Sequence, residues 1–124
     1  ENKYRDVAIP ALFRYCVNSK VNFQYYQMTD TQFMKRFNDG VPVYLNNKEY
    51  ILNTYALVFF DGPHTTKDVM TESEFFGERA IKGSIFVYDD VTFYDHNKVE
   101  DYLKKNKWRP LSGTSKKLSY IKEA

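Results

Sequence analysis

YALVFFDGPH, residues 55–64, is an apolar run that stops at a carboxylate. The run is typical of a buried strand, followed by a loop that begins with Asp61. The pattern recurs further along, where SIFVY, residues 84–88, ends in Asp89 and Asp90. A helix-like segment separates the two runs. Ligands of open α/β sheets bind outside the carboxyl ends of the strands. The two acidic strand ends therefore predict a functional site, and their carboxylates favour a metal site.

The rest of the chain alternates between helix and strand patterns. Asp6 is expected to cap the first helix, which puts Pro10 in its first turn. Strands alternating with helices predict an α/β fold with a mainly parallel sheet covered on both sides. The last two strands predict an antiparallel hairpin at one edge. The pattern of residues 41–54 fits either a short extended piece or an insertion. We expect helices at 7–17, 30–37, 66–78 and 96–105, and strands at 21–28, 55–60, 84–88, 108–111 and 118–121.

Length and composition restrict the class of protein. A chain of 124 residues predicts a single domain, and a net charge of +2 is too small to favour a nucleic-acid partner. No apolar run of about 18 residues exists, so no membrane span is expected. The only cysteine, Cys16, lies on an apolar helical face and is interpreted as a buried structural thiol. A lone cysteine is consistent with a reducing, cytoplasmic compartment. Lys117 and the other late basic residues are interpreted as a solvated helix end and hairpin, with a phosphate- or acid-binding edge as the alternative.

Two segments carry a resemblance to a known family. LVFFDGPH, residues 57–64, and IKGSIFVYDDV, residues 81–91, resemble the C-terminal half of a class I S-adenosylmethionine-dependent methyltransferase. The branch is that of small O-methyltransferases with an Asp-Gly-x-His signature, and the resemblance covers residues 21–122. It implies a Rossmann-like methyltransferase sheet. It also implies methyl transfer to the hydroxyl group of a small acceptor such as a sugar, a polyketide or a phenol.

The resemblance implies roles for the acidic strand ends. Asp61, Asp89 and Asp90 match the family's ligands for a divalent cation. Mg²⁺ prefers such hard oxygen ligands, and a cation there would lower the pKa of an acceptor hydroxyl. Asp61 and His64 are the catalytic candidates, with His64 as a ligand, a base or a positioning group.

The resemblance also implies a nucleoside site with one clear departure. Asp30 matches the family's acidic residue near the adenine, and Glu1 matches its ribose-binding acid. The family's Gly-x-Gly-x-Gly loop, which holds the methionine part of the cofactor, has no counterpart among the five glycines. We therefore expect residues 1–124 to be a partial methyltransferase domain from which the N-terminal strands and their glycine-rich loop are missing.

Plainer interpretations stand beside these roles. Asp61 before Gly62 is also ordinary turn chemistry, and Asp90 could cap a turn. Asp30 could be the N-cap of its helix, and His96 is interpreted as a helix N-terminal residue rather than a ligand. His64 could be a loop histidine.

Two other functions also remain open. The chain could be a catalytically silent binding or assembly module, including a homo-oligomer, which the missing glycine loop favours. A metal-dependent hydroxylase or hydrolase on the same scaffold is the third alternative, because a fold does not determine a function.

Overall fold

The computed structural model describes residues 2–62 and 65–124 and has a mixed α/β architecture. Its residues form two compact units, Glu1–Leu52 and Asn53–Ala124, which are described separately. The expectation of one domain over 1–124 stays a prediction. The elements are α1 (Asn2–Asn18), α2 (Asp30–Arg36), β1 (Val41–Leu45), β2 (Lys48–Leu52), β3 (Tyr55–Phe60), α3 (Thr66–Glu78), β4 (Ala80–Tyr88), α4 (His96–Lys105), β5 (Trp108–Gly113) and β6 (Leu118–Lys122).

The first unit combines two helices with an antiparallel hairpin. β1 pairs with β2 from Val41 opposite Leu52 to Leu45 opposite Lys48. Asn46 and Asn47 form the tight turn, both with positive φ (51° and 63°). Asparagine tolerates this left-handed backbone, which two-residue hairpin loops need. The segment that was unclear in the sequence is therefore a hairpin.

The predicted strand at 21–28 is wrong, because these residues form no strand. Two polar side chains of this segment bond to the backbone of β1 instead. Asn22 Nδ2 donates to the Tyr44 carbonyl (3.2 Å) and Gln24 Nε2 donates to the Pro42 carbonyl (3.4 Å). The polar–apolar alternation that suggested a strand thus reflects side-chain bonds at every second residue, and not a backbone ladder.

The helices of the first unit differ from the prediction at their starts. α1 begins at Asn2, so Asp6 lies within the helix and Pro10 lies in its interior, although Pro10 was expected in the first turn. Cys16 is buried, as expected. The small core of this unit contains Phe37, Val41 and Val43, against which Tyr26, Met28 and Phe33 pack.

The second unit is a four-stranded sheet with the order β3-β4-β6-β5. β3 and β4 are parallel, and the two pairs that involve β6 are antiparallel. The α/β class and the C-terminal hairpin are confirmed, as are the predicted bounds of β3, α3 and α4. The predicted mainly parallel sheet is wrong, because the only parallel pair among the described residues is β3–β4.

The core of the second unit lies between this sheet and helices α3 and α4. Phe86 and Tyr88 are fully buried on β4, and the Phe60 and Tyr88 rings stack with their centroids 4.3 Å apart. Trp108 lies against Phe86, with ring centroids 4.1 Å apart. The other buried members are Val69, Val99, Leu103 and Tyr120.

One side of β3 has no strand partner among the described residues, since β3 is the first strand of the sheet order. Two large side chains of this edge strand are exposed, Leu57 at 64% and Phe59 at 50%. An exposed apolar edge is a surface on which another chain can pair.

β4 contains a bulge opposite the start of β3. The partner of Tyr55 is Ala80 and the partner of Leu57 is Ile85, so β4 takes in extra residues between these pairs. Ser84 Oγ accepts from the Ile81 amide (2.9 Å) and donates to the Tyr55 carbonyl (2.8 Å). Gly83 supplies the left-handed backbone here, with φ of +91°.

Among the described residues, no helix is both long and apolar enough to cross a membrane.

Candidate functional site

Asp61, Asp89 and Asp90 meet at the carboxyl ends of β3 and β4. The parallel register pairs Phe60 with Tyr88, which puts the next residue of each strand side by side. The Asp89 amide donates to the Phe60 carbonyl at 3.1 Å and continues this pairing into the loop. One carboxylate oxygen from each Asp lies within 4.8 Å of the others. The strand ends thus bring the three carboxylates together, and a metal ion at this place stays a prediction.

The loop after β4 is held by backbone bonds around Asp90. Asp90 has a left-handed backbone (φ 54°), which Asp adopts more readily than most residues. Its amide donates to its neighbour Asp89 Oδ1 at 2.9 Å, and its carbonyl accepts from the Phe93 amide at 3.0 Å. The Val91 amide donates to the Lys116 carbonyl at 3.2 Å. These bonds fix the direction in which the acidic pair leaves the strand.

The pKa of Asp61 reflects its burial and the charges around it. Desolvation raises the pKa of Asp61, and a hydrogen bond to Asp89 and the charges of Asp89 and Asp90 raise it further. Lys117 acts in the opposite direction and lowers this pKa. A divalent cation would relieve the repulsion among the carboxylates, and their hard oxygen atoms suit Mg²⁺.

Lys117, which the sequence favoured as part of a solvated helix end and hairpin, acts on the acid cluster. β6 pairs Leu118 with Tyr88, so the hairpin loop before Leu118 lies beside the strand end that carries Asp89. The Lys117 ammonium lies 5.4 Å from the centroid of the Phe59 ring. Lys117 also lines an open groove of about 310 Å³, together with Val87, Ser112, Gly113, Thr114, Leu118 and Ser119. Nothing in the sequence alone gives the β4–β6 register that this placement depends on.

A second polar group lies inside the unit, behind the loop that follows Asp90. His96 is the first residue of α4 and is 8% exposed. Its Nδ1 is 2.9 Å from Tyr94 Oη, and its Nε2 is 2.7 Å from Tyr120 Oη. Tyr120 Oη donates to Glu100 Oε2 (3.0 Å), and Glu100 pairs with Lys104 at 2.8 Å. The interpretation of His96 as a helix N-terminal residue is confirmed, but its two tyrosine partners were not predicted.

Of the two nucleoside candidates, the structure describes Asp30. Asp30 belongs to the first unit, where it is the first residue of α2 and not its N-cap. The N-cap is Thr29, whose hydroxyl accepts from the Gln32 amide (3.2 Å) in a capping box. Asp30 Oδ1 accepts from the Thr31 amide at 2.9 Å. Glu1 and His64 lie outside the described residues, so their predicted roles stay predictions.

Comparisons of the chain with models of protein families, with curated proteins and with solved structures found no match. The fold and the site define a mixed α/β protein with a carboxylate cluster at the ends of two parallel strands.

Proposed function

We propose that this chain has the function of a cytoplasmic S-adenosylmethionine-dependent O-methyltransferase with a Rossmann-like sheet, assisted by a divalent cation. The acceptor would be a small hydroxylated molecule such as a sugar, a polyketide or a phenol. The observation that carries the proposal is the convergence of Asp61, Asp89 and Asp90, with ligand oxygens within 4.8 Å of one another, at adjacent parallel strand ends. This is the edge at which open α/β sheets bind their ligands.

The donor set suits a hard cation such as Mg²⁺. Each of the three aspartates can offer one oxygen, which leaves coordination positions for water or for acceptor hydroxyls. A cation held there would lower the pKa of a bound hydroxyl. The protein's own part is to hold Asp89 and Asp90 in place through the backbone bonds at the end of β4, so that the acceptor oxygen has a fixed position.

The groove that Lys117 lines is the acceptor surface that we favour. Lys117 acts electrostatically on Asp61, which connects the groove with the acid cluster. The polar residues Ser112, Thr114 and Ser119 line the groove together with the apolar Val87. Small-molecule sites combine apolar walls with a few polar groups in this way.

The cofactor would supply the methyl group, and the chain offers only part of a site for it. Asp30 and Glu1 are the residues that we propose for the nucleoside, on the strength of the resemblance alone. The sequence holds no Gly-x-Gly-x-Gly segment, so residues 1–124 do not by themselves fit the methionine half. We derive no step through the cofactor, and His64 stays a candidate base or positioning group.

A binding or assembly module is the alternative, and the edge strand β3 favours it. Leu57 and Phe59 are exposed on an edge that could pair with a second copy of the chain or with another protein. A homo-oligomer that binds no cation and no nucleoside would support this alternative.

Cation binding is the first test of the proposed site. We expect Mg²⁺ or Mn²⁺ to bind, measured by isothermal titration calorimetry, and Asp89→Ala to weaken binding by at least about 100-fold. Even outer-shell partners of metal sites contribute 10–100-fold. Asp101→Ala is the matched control, because Asp101 is an exposed carboxylate on α4 outside the cluster. Equal affinities for the two variants would remove the metal mechanism.

Retention of the nucleoside is the second test. Native mass spectrometry of the purified protein, with S-adenosylhomocysteine added, is expected to show a bound nucleoside that Asp89→Ala retains and Asp30→Ala loses. A protein that binds cations but never the nucleoside would contradict the methyltransferase proposal and leave a metal-binding module.

A further inference from the structure

The hydrogen bonds around His96 determine which of its ring nitrogens carries the proton. Tyr120 Oη donates its only proton to Glu100 Oε2, so it can only accept from His96 Nε2. Nε2 must therefore be protonated. In a neutral ring Nδ1 is then an acceptor, and the Tyr94 hydroxyl donates to it. The donors run in one direction, from Tyr94 through His96 and Tyr120 to Glu100, where Lys104 balances the charge.

The surroundings of His96 favour its neutral form. Burial lowers its pKa, whereas the negative charges of Glu100 and Asp95 raise it by less. A positive charge at the first residue of α4 would also oppose the helix dipole. The rings of Tyr88 on β4 and Tyr120 on β6 pack against the imidazole, with centroids at 5.1 Å and 5.8 Å. Tyr94 approaches from the preceding loop at 5.5 Å.

We propose that His96 is a positioning residue whose protonation state sets the hydrogen bond of Tyr94 and, through it, the 91–95 loop. The neutral ring accepts from Tyr94. The protonated ring has a donor on both nitrogens, so the Tyr94 hydroxyl must turn its proton away and accept instead. The reversal needs no other group in the chain from Tyr120 to Glu100 to change its role.

The loop that responds leads directly from the acidic pair. The Asp95 amide donates to Thr66 Oγ1 at 3.0 Å and the His96 amide donates to the Tyr94 carbonyl at 3.0 Å, so the C-terminal end of the 91–95 loop is held in place. Asp90 is the charged residue that acts on Tyr94, because its charge, after burial, raises the pKa of that hydroxyl. The proton that the Tyr94 hydroxyl turns away from protonated His96 is attracted by this carboxylate. Acid would then weaken any cation held by Asp90, and this consequence rests on the proposed function.

The test is a pH titration of the histidine rings by ¹⁵N and ¹H NMR on the whole chain. His64 carries the only other imidazole, so a His64→Asn sample assigns the His96 signals. We expect the Nε2–H tautomer near pH 7.5 and a midpoint below the usual 6.5. The backbone amides of residues 91–95 should shift with the same midpoint. An Nδ1–H tautomer, or loop amides that do not follow the ring, would overturn the proposal.

Two substitutions should move the His96 midpoint in opposite directions. Tyr94→Phe removes the donor to the neutral ring, so it should raise the pKa of His96. Glu100→Gln removes a negative charge and should lower it. Tyr102→Phe is the control, since it removes a hydroxyl of α4 outside this chain of bonds. A Tyr94→Phe protein whose midpoint falls or stays unchanged would contradict the proposal, and the wild-type tautomer decides if that variant fails to fold.

The free energy of unfolding should depend on the protonation of His96. Because burial lowers the folded pKa of His96, the stabilising contribution of this group is fully present above the unfolded value of 6.5. It is lost as the pH falls through that value toward the folded pKa. None of these measurements uses a cation or a cofactor, so their failure is distinct from failure of the proposed function.

Discussion

At the scale of single residues, the carboxylates of the acid cluster repel one another, and the positive charge of Lys117 partly offsets this repulsion. Asp89 and Asp90 raise the pKa of Asp61, and Lys117 lowers it. A bound divalent cation would be attracted by the carboxylates and repelled by the Lys117 ammonium. Lys117 therefore affects protons and metal ions in the same sense, because it disfavours both at Asp61.

Lys117→Gln is expected to strengthen divalent-cation binding several-fold. The substitution removes a positive charge near the surface, where the interaction between two exposed charges is worth about 0.2–1 kcal/mol. Calorimetric titration with Mn²⁺ measures the change, and the effect should shrink at high salt because salt screens surface charges. Lys116→Gln is the matched control, since Lys116 is the preceding residue and is not among the groups that shift the pKa of Asp61. Weaker binding in Lys117→Gln would contradict a cation site at Asp61.

The cluster itself was predictable from the sequence, but its neighbours were not. Two apolar runs that end in Asp identify the carboxylates, because adjacent parallel strands end at the same edge. Lys117 depends on the pairing of β4 with β6, which no local pattern gives. The cap of α2 was visible, since Thr29 and Gln32 have the spacing of a capping box. The sequence analysis considered Asp30 as the N-cap, which is one residue after the true N-cap, Thr29.

At the scale of elements, the helices and strands with the clearest sequence patterns were predicted correctly. β3, α3 and α4 have the bounds that the sequence indicated. The 21–28 segment failed because its alternation is satisfied by side-chain bonds to β1, which a pattern cannot distinguish from a backbone ladder. The β1–β2 hairpin was missed because its turn is Asn-Asn, without the glycine that usually marks such loops.

The bulge in β4 gives a test at this scale. Gly83→Ala should lower the free energy of unfolding by about 1–2 kcal/mol, because an L-residue is strained in a left-handed backbone. No atom lies within 4 Å of the added methyl group, so the cost is conformational and not steric. Urea denaturation followed by circular dichroism measures it. Lys82→Ala is the control at a neighbouring exposed position without positive φ. Equal stability of the two variants would show that the backbone at position 83 does not strain an L-residue.

At the scale of the whole molecule, the two units have separate cores. Phe37, Val41 and Val43 form one, and the larger cluster around Phe86 and Tyr88 forms the other. The small proportion of parallel pairs could not be foreseen, because it depends on the absence of a strand at 21–28 and on the placement of the hairpin beside β4. Both depend on long-range pairing and not on local pattern.

Residues 53–124 are expected to fold without residues 1–52. Their core lies wholly within the second unit, and domains of roughly 60 residues can fold alone. A ¹H–¹⁵N correlation spectrum of this fragment should retain the dispersed signals that the same residues show in the whole chain. The isolated 1–52 fragment, with its small core, is the comparison and is expected to give a poorly dispersed spectrum. Collapsed signals from the 53–124 fragment would show that its fold depends on the first unit.

The position of the only tryptophan has a practical consequence. Trp108 is 4% exposed and lies against Phe86 in the second core, so its emission depends on that core staying closed. The first unit contains tyrosines but no tryptophan. Fluorescence excited at the red edge of the indole band therefore reports on the opening of the second unit and does not respond to unfolding of the first unit. Paired with a probe of helix content, it would separate two unfolding events within a single sample.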